Sequence, residues 1–141
     1  MSKNPVIHFE MGYFDRDRAK QFYEKAFGWN MQQMGAEMGN YVVAQTTDTN
    51  EQGMVQTPGN INGGFYEKTD NPLSHAPSVV ISVPDIKSAM QAVEANGGKI
   101  LGAMDETGNH SMEPMMIPGV GLWMSFQDTE GNRVSILQPA Q

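Results

Sequence analysis

The sequence contains no cysteine among its 141 residues. Disulfide bonds, thiol nucleophiles and cysteine-ligated zinc sites are therefore excluded as sources of stability or chemistry. The first ten residues, MSKNPVIHFE, lack the apolar core of a signal peptide, and no apolar run in the chain is long enough to span a bilayer. From these absences we expect a cytoplasmic protein that does not interact with a membrane.

Basic residues are also few, with 9 Lys and Arg against 16 Asp and Glu, which gives a net charge of −7. Because this charge repels a nucleic-acid backbone and no basic run offsets it, we expect no nucleic-acid partner. An acidic protein attracts cationic small molecules instead. Hydrophobic residues make up 39% of the chain, which is enough for a folded core in a domain of this length.

The chain contains an internal repeat with a period of 70 residues. A short apolar strand, VIHFEM, precedes the helical pattern DRDRAKQFYEKAFG, and the run SVVISVPDIKSAMQAVEANGG follows the same plan. Asp15 and Asp85 are predicted helix N-caps, and Gly28 and Gly98 coincide at the helix ends. Each helix has a predicted apolar stripe, formed by Ala19, Phe22, Tyr23, Ala26 and Phe27 in the first and by Ile86, Ala89, Met90 and Val93 in the second.

Strand patterns follow both helices. They are WNMQQM, YVVAQT and INGGFY in the first half and KILGAM, LWMSFQ and RVSILQ in the second. Each half therefore has the order βαβββ, and neither half is large enough to bury its own helix and sheet well. The sequence predicts a single α+β domain, residues 1–141, built from two modules at about 4–70 and 76–139.

The opening strand carries two polar side chains on one face. His8 and Glu10 are two residues apart, so they point to the same side of the strand, whereas Ile7, Phe9 and Met11 point to the other. We expect the apolar face to pack against the helix and the polar face to line a pocket between the halves. The alternative is that the polar face is exposed to water. In the second half Ser78 takes the position of His8.

The turn DTEGN at residues 128–132 predicts a hairpin. If residues 127 and 132 pair across it, Met124 lies opposite Ser135 on the pocket side, together with Leu122 and Phe126. The wall contributed by the second half is then apolar. Such a pocket suits an organic ligand with one polar or cationic end.

These segments resemble the vicinal oxygen chelate superfamily, which includes glyoxalase I, extradiol dioxygenases and bleomycin-resistance proteins. The resemblance is carried by VIHFEM, DRDRAKQFYEKAFGW, SVVISVPDIKSAMQAVEANGG and IPGVGLWMSFQDTEGNRVSIL, and it covers nearly the whole chain. It implies two βαβββ modules that form a curved mixed sheet around a cleft. It also implies a homodimer, since members often dimerise.

The resemblance further implies a divalent metal held by His and Glu side chains on the first and last strands of each module. In this sequence His8 matches the first ligand position. The second position falls between Asn62 and Phe65, the third on Ser78 and the fourth on Ser135, and none of these supplies an imidazole or a carboxylate. A divalent metal cofactor is therefore not expected, although His8 and Glu10 form a reduced pair of potential ligands.

Three functions are compatible with the family resemblance and the incomplete set of metal ligands. The first is binding of a small organic molecule without a metal, with His8, Glu10, Ser78, Met124 and Ser135 as ligand-binding candidates. The second is a lyase, isomerase or dioxygenase with a reduced metal site, in which His8 and Glu10 are the catalytic candidates. The third is a non-catalytic assembly protein. No Ser-His-Asp order or phosphate-binding loop is present.

Overall fold

The computed structural model describes residues 3–105 and 107–141. Within these residues the chain forms ten β-strands and two α-helices. They divide into two compact units. The first unit is His8–Pro77, and the second consists of Ser78–Gln141 together with the described residues up to Ile7.

The first unit contains one helix and four strands. The elements in chain order are β1 (Val6–Tyr13), α1 (Arg16–Phe27), β2 (Asn30–Gln33), β3 (Val42–Gln45) and β4 (Asn62–Glu67). The strands are arranged in the order β2-β3-β4-β1. β1 and β4 are parallel, whereas β2, β3 and β4 pair antiparallel. This is the predicted βαβββ arrangement.

Helix α1 begins and ends where the sequence indicates. The side chain of Asp15 accepts a hydrogen bond from the N–H of Arg18 at 3.0 Å, which satisfies a donor in the first turn. Gly28 follows the helix in the left-handed region, with φ 71° and ψ 19°. Glycine adopts this conformation without a Cβ penalty, so the chain can turn directly into β2.

The core of the first unit lies between α1 and one face of its sheet. Its buried residues are Tyr13, Met31, Val42, Ala44 and Phe65, and Phe9, Met11, Ala19, Tyr23 and Trp29 pack against them. The prediction that the apolar face of the opening strand packs against the helix is therefore confirmed.

The predicted stripe of α1 is only partly correct. Ala19 and Tyr23 face the core, but Phe22 is 57% exposed and Phe27 is 63% exposed. The reason is that Trp29 stacks on Tyr23, with ring centroids 4.7 Å apart and an interplanar angle of 12°. This indole fills the space beside Tyr23 that the sequence pattern assigned to the outer phenylalanines.

The second unit contains one helix and six strands. The elements are β5 (Ser78–Ser82), α2 (Ile86–Ala95), β6 (Lys99–Met104), β7 (His110–Ser111), β8 (Met115–Ile117), β9 (Gly121–Gln127) and β10 (Arg133–Pro139). The strand order is β5-β10-β9-β6-β7, and β8 pairs with β9. β5 and β10 are parallel, and the other pairs are antiparallel. The short strands β7 and β8 have no counterpart among the strand patterns predicted from the sequence.

Helix α2 covers the core of the second unit. Asp85 caps it by accepting hydrogen bonds from the N–H groups of Lys87 and Ser88 at 3.0 and 3.2 Å. The predicted stripe is confirmed, since Ile86 is buried and Ala89, Met90 and Val93 pack against a cluster that includes Ile100, Met124, Phe126 and Ile136.

The register of the β9–β10 hairpin differs from the prediction by one residue. Gln127 pairs with Arg133 rather than with residue 132, so Ser135 lies opposite Ser125 and Met124 lies opposite Ile136. The predicted position of Met124 on the face of Ser135 was therefore wrong. Met124 is fully buried in the core beneath α2, and so the predicted apolar wall is replaced by serine side chains.

Candidate functional site

A polar face runs across the sheet of the first unit on the side opposite α1. In the parallel ladder His8 lies beside Asn62 and Glu10 lies beside Gly64, and in the neighbouring antiparallel ladder Gly64 lies beside Val43. Paired residues in a sheet point to the same side. The structure therefore brings His8 and Glu10 together on one face, as the alternation of the sequence predicts.

The imidazole of His8 is half-buried on this face. Burial lowers the pKa of His8 below its ordinary value of 6.5, because removing the ring from water disfavours its charged form. The ring is therefore neutral at neutral pH, with one nitrogen as a donor and the other as an acceptor. Within residues 3–105 and 107–141 this ring makes no hydrogen bond. A neutral imidazole in this state is suited to bind a ligand or to accept a proton.

Glu10 and Tyr41 form the most enclosed part of the face. Glu10 is only 7% exposed. Tyr41 directly precedes β3, and its ring lies across Gly64, where a Cβ would overlap the hydroxyl and ring atoms of the tyrosine. Burial raises the pKa of the Tyr41 phenol, and the nearby charges of Glu10 and Tyr66 raise it further. Tyr41 is therefore a protonated hydroxyl near a carboxylate.

Two other polar side chains of this face are engaged in structural hydrogen bonds. The Oδ1 atom of Asn62 accepts from the N–H groups of Thr46 and Thr47 at 2.8 and 3.0 Å. The hydroxyl of Tyr66 donates to the carbonyl of Ser74 at 2.7 Å. Both side chains therefore hold the loops after β3 and β4 in place.

In the second unit three serines share one face. Ser135 lies beside Ser125 on β9 and beside Val80 on β5, and Ser78 is two residues before Val80. All three serines are buried, with exposures of 8% for Ser78, 6% for Ser125 and 0% for Ser135. Ser125 donates to the carbonyl of Gly102 at 2.8 Å. The hydroxyl of Ser78 has no hydrogen-bond partner within the described part of the chain.

The donor atoms of these faces do not fit a divalent metal site. Residues 3–105 and 107–141 contain no group of three or more His, Cys, Asp or Glu side chains that could hold a metal ion. At the position next to His8, the amide oxygen of Asn62 already accepts two backbone hydrogen bonds. Ser78 and Ser135 offer neutral hydroxyls, which bind divalent ions poorly in comparison with imidazole or carboxylate.

Comparison with known proteins identifies the class of the chain. Residues 6–136 match the family model described as Glyoxalase/Bleomycin resistance protein/Dioxygenase superfamily. A glyoxylase-like domain-containing protein from Didymella fabae is 31% identical over 133 residues, which cover 93% of this chain and 91% of the relative. The chain therefore belongs to this superfamily, and the predicted family is confirmed.

Solved structures show the same fold. A variant of Streptomyces coelicolor methylmalonyl-CoA epimerase, in complex with 2-nitronate-propionyl-CoA, superimposes with a TM-score of 0.67 at 14% identity, covering 99% of this chain and 100% of the epimerase. A superfamily member from Vibrio splendidus 12B01 has a TM-score of 0.55 at 16% identity, covering 96% and 99% of the two chains. The predicted fold class is confirmed by these similarities.

One residue of the face was missed from the sequence. Tyr41 is the first residue of the predicted strand YVVAQT, but nothing within that strand places it beside Glu10. The available signal was the pair Gly63–Gly64 inside a strand, because glycine within a strand indicates the close approach of another group.

In the described part of the chain, neither α-helix is long and apolar enough to cross a membrane.

Proposed function

We propose that this chain binds a small organic molecule at the polar face of the first unit without the help of a resident divalent metal. The observation that carries the proposal is the state of His8. A half-buried imidazole that is neutral and makes no hydrogen bond within the described residues is a ready partner for a ligand. Perturbed side chains of this kind cluster at functional sites.

The charges favour a ligand with a cationic end. The buried carboxylate of Glu10 lies on the same face as His8, and the whole chain carries a net charge of −7. A cation placed near Glu10 gains Coulomb energy in a partly desolvated site. In this arrangement His8 and Tyr41 supply hydrogen bonds that orient the polar end of the molecule. The hydroxyl of Ser78, in the second unit, is a separate ligand-binding candidate that the sequence predicts.

The epimerase neighbour supports an organic ligand in a protein of this fold, since its structure is a complex with 2-nitronate-propionyl-CoA. Coenzyme A carries several phosphate charges, and this chain is acidic, with a net charge of −7. An uncharged or cationic ligand therefore suits this chain better than a CoA ester does.

The alternative is a metal-dependent lyase, isomerase or dioxygenase with a reduced site. It is favoured by one observation, that His8 and Glu10 lie on the same face of β1 two residues apart. In that case His8 is a ligand or a general base and Glu10 is its partner. The absence of a third suitable donor in the described residues argues against this alternative.

The test is a ligand screen with matched charges. Binding of small aromatic and aliphatic ammonium compounds is measured by calorimetry and compared with carboxylates and neutral amides of the same shape. We expect the cations to bind at least about tenfold more tightly than the matched carboxylates. Equal affinity for the two charge types overturns the proposed preference, and binding of no compound of any class supports the assembly role instead.

Three variants connect binding to the residues. Glu10→Gln is expected to weaken cation binding by about tenfold or more, because it removes the charge and keeps the shape. His8→Gln is expected to weaken all ligands, and Glu94→Gln, an exposed change on α2, is the control. The same titrations are made with chelator and with Zn²⁺, Ni²⁺ and Co²⁺. Stoichiometric metal binding that is lost in His8→Ala favours the alternative.

The homodimer and the cytoplasmic location remain predictions from the sequence and the resemblance. Sedimentation equilibrium over a range of concentrations measures the first. Fractionation of cells that express the natural gene measures the second. Neither result changes the ligand experiment, because the proposed face belongs to one unit of one chain.

A further inference from the structure

The chain contains two Asn–Gly pairs, and the structure places them in opposite environments. Asn96–Gly97 follows the last turn of α2, where both residues are exposed. Asn62–Gly63 lies inside β4, where Asn62 is half-buried and Gly63 is buried. An Asn–Gly pair is chemically prone to deamidation, because glycine has no side chain to hinder attack by its own backbone nitrogen.

We propose that Asn96–Gly97 is a site of spontaneous deamidation and that the fold protects Asn62–Gly63. In the first step the backbone nitrogen of Gly97 attacks the side-chain amide carbon of Asn96. A carbon–nitrogen bond forms, the nitrogen loses its proton, and the side-chain nitrogen leaves as ammonia. Water then opens the resulting succinimide at either carbonyl, which leaves an aspartate or an isoaspartate at position 96.

The restraints on Asn96 are those of a helix end. Its side-chain nitrogen donates to the carbonyl of Ala92 at 2.8 Å, and the N–H of Gly97 makes a long contact of 3.3 Å with the carbonyl of Glu94. Both bonds are exposed and belong to the last turn. Helix ends open with little free energy, so the nitrogen of Gly97 becomes available without unfolding the unit.

The restraints on Asn62 are those of a sheet. Its Oδ1 atom is held by the N–H groups of Thr46 and Thr47, at 2.8 and 3.0 Å. Gly63 pairs with Phe9 on one side and with Ala44 on the other. The extended backbone of a strand with neighbours on both sides keeps the attacking nitrogen away from the side-chain carbon. Deamidation there requires that several strand hydrogen bonds open together.

The product changes the end of α2. Deamidation adds a negative charge where the helix carbonyls already create a negative potential, and it removes the donor that satisfies the Ala92 carbonyl. Isoaspartate also lengthens the backbone of a turn in which β6 begins at Lys99. Because α2 covers the core of the second unit, this modification is expected to loosen that unit.

The experiment compares the two pairs within one molecule. The full chain is incubated in mildly alkaline buffer, and peptide mapping by mass spectrometry measures aspartate and isoaspartate at positions 96 and 62 over time. We expect position 96 to be modified at least about tenfold faster than position 62 in the folded protein. In the urea-unfolded chain the two rates should converge, because both pairs have glycine as the second residue.

Equal rates in the folded protein, or faster modification at position 62, overturn the proposal. Asn96→Gln is the matched variant, because the longer side chain forms the cyclic intermediate much more slowly while it keeps an amide at the helix end. Charge heterogeneity that accumulates in the wild type should be absent in Asn96→Gln. If it persists unchanged there, the modification lies elsewhere and the proposal fails.

Discussion

Glu10 lies directly beside Gly64 in the parallel ladder between β1 and β4, and the missing side chain of Gly64 makes room for Tyr41. The carboxylate of Glu10, the phenol of Tyr41 and the backbone of Gly64, which carries no side chain, therefore lie on one face of the sheet. This relationship explains how two ionisable groups are enclosed on a surface that is otherwise an ordinary sheet face. It also makes Gly64 a position where a side chain would overlap Tyr41.

Gly64→Ala should therefore destabilise the protein and displace Tyr41. The new methyl group overlaps the tyrosine ring, and overpacking of this kind costs about 1–3 kcal/mol in the free energy of unfolding. Urea unfolding measures the loss. The double variant Gly64→Ala/Tyr41→Ala completes a cycle, and the two changes should be strongly non-additive. Additive effects would show that the two residues do not share this space.

The pH dependence of stability should report the burial of His8. Its pKa is lowered in the folded state, so below pH 6.5 the unfolded chain binds a proton that the folded chain does not. Stability is therefore lost as the pH falls from 6.5 toward the folded pKa, and above 6.5 this group has no effect. His8→Gln should flatten this part of the profile, measured by urea unfolding at several pH values. A profile that is unchanged in His8→Gln would contradict the burial of the ring.

Much of the fold could be predicted from local chemistry. Asp15 and Asp85 cap the helices as the sequence indicates, and the alternation of the opening strand assigns His8 and Glu10 to one face correctly. Such features depend on neighbours in the chain and on periods of 2 and 3.6 residues. The family resemblance also indicated the fold class, which local patterns alone do not determine.

The incorrect predictions concern the β9–β10 hairpin, where a loop that is longer by one residue changes the register of the strands. In the β9–β10 hairpin the N–H of Asp128 donates to the carbonyl of Asn132 at 2.9 Å, and Gly131 has φ +87°. The loop thus has three residues with glycine in the left-handed region, a common hairpin type, and this sets the register one residue away from the predicted one. A shift of one residue exchanges the two faces of a strand. For this reason Met124 was assigned to the wrong side and Ser125 was missed.

Asn62→Ala should destabilise the first unit, although the residue lies in the range, Asn62 to Phe65, where the resemblance places a metal ligand. The change removes the acceptor of two part-buried backbone N–H groups, those of Thr46 and Thr47, and should cost about 1–3 kcal/mol in the free energy of unfolding. Thermal or urea unfolding measures the effect. Asn60→Ala, which removes an exposed bond to the Thr47 hydroxyl, is the control and should cost less than about 0.5 kcal/mol. Equal effects of the two changes would contradict the structural role of Asn62.

The buried serines of the second unit should respond in opposite ways to the same substitution. Ser125→Ala leaves the carbonyl of Gly102 without its donor and should cost about 1–2 kcal/mol. Ser78→Ala removes a buried hydroxyl that has no partner within the described residues, so it should be neutral or stabilising. Urea unfolding of both variants without ligand provides the comparison.

Ser78 also links stability to ligand binding. An added compound that supplies a partner for its hydroxyl should stabilise the wild type more than it stabilises Ser78→Ala, and Ser125→Ala should not show this difference. Calorimetric unfolding with each compound of the ligand screen in turn measures the effect. If Ser78→Ala destabilises the free protein as much as Ser125→Ala does, the hydroxyl already has a partner, and its role as a ligand contact is wrong.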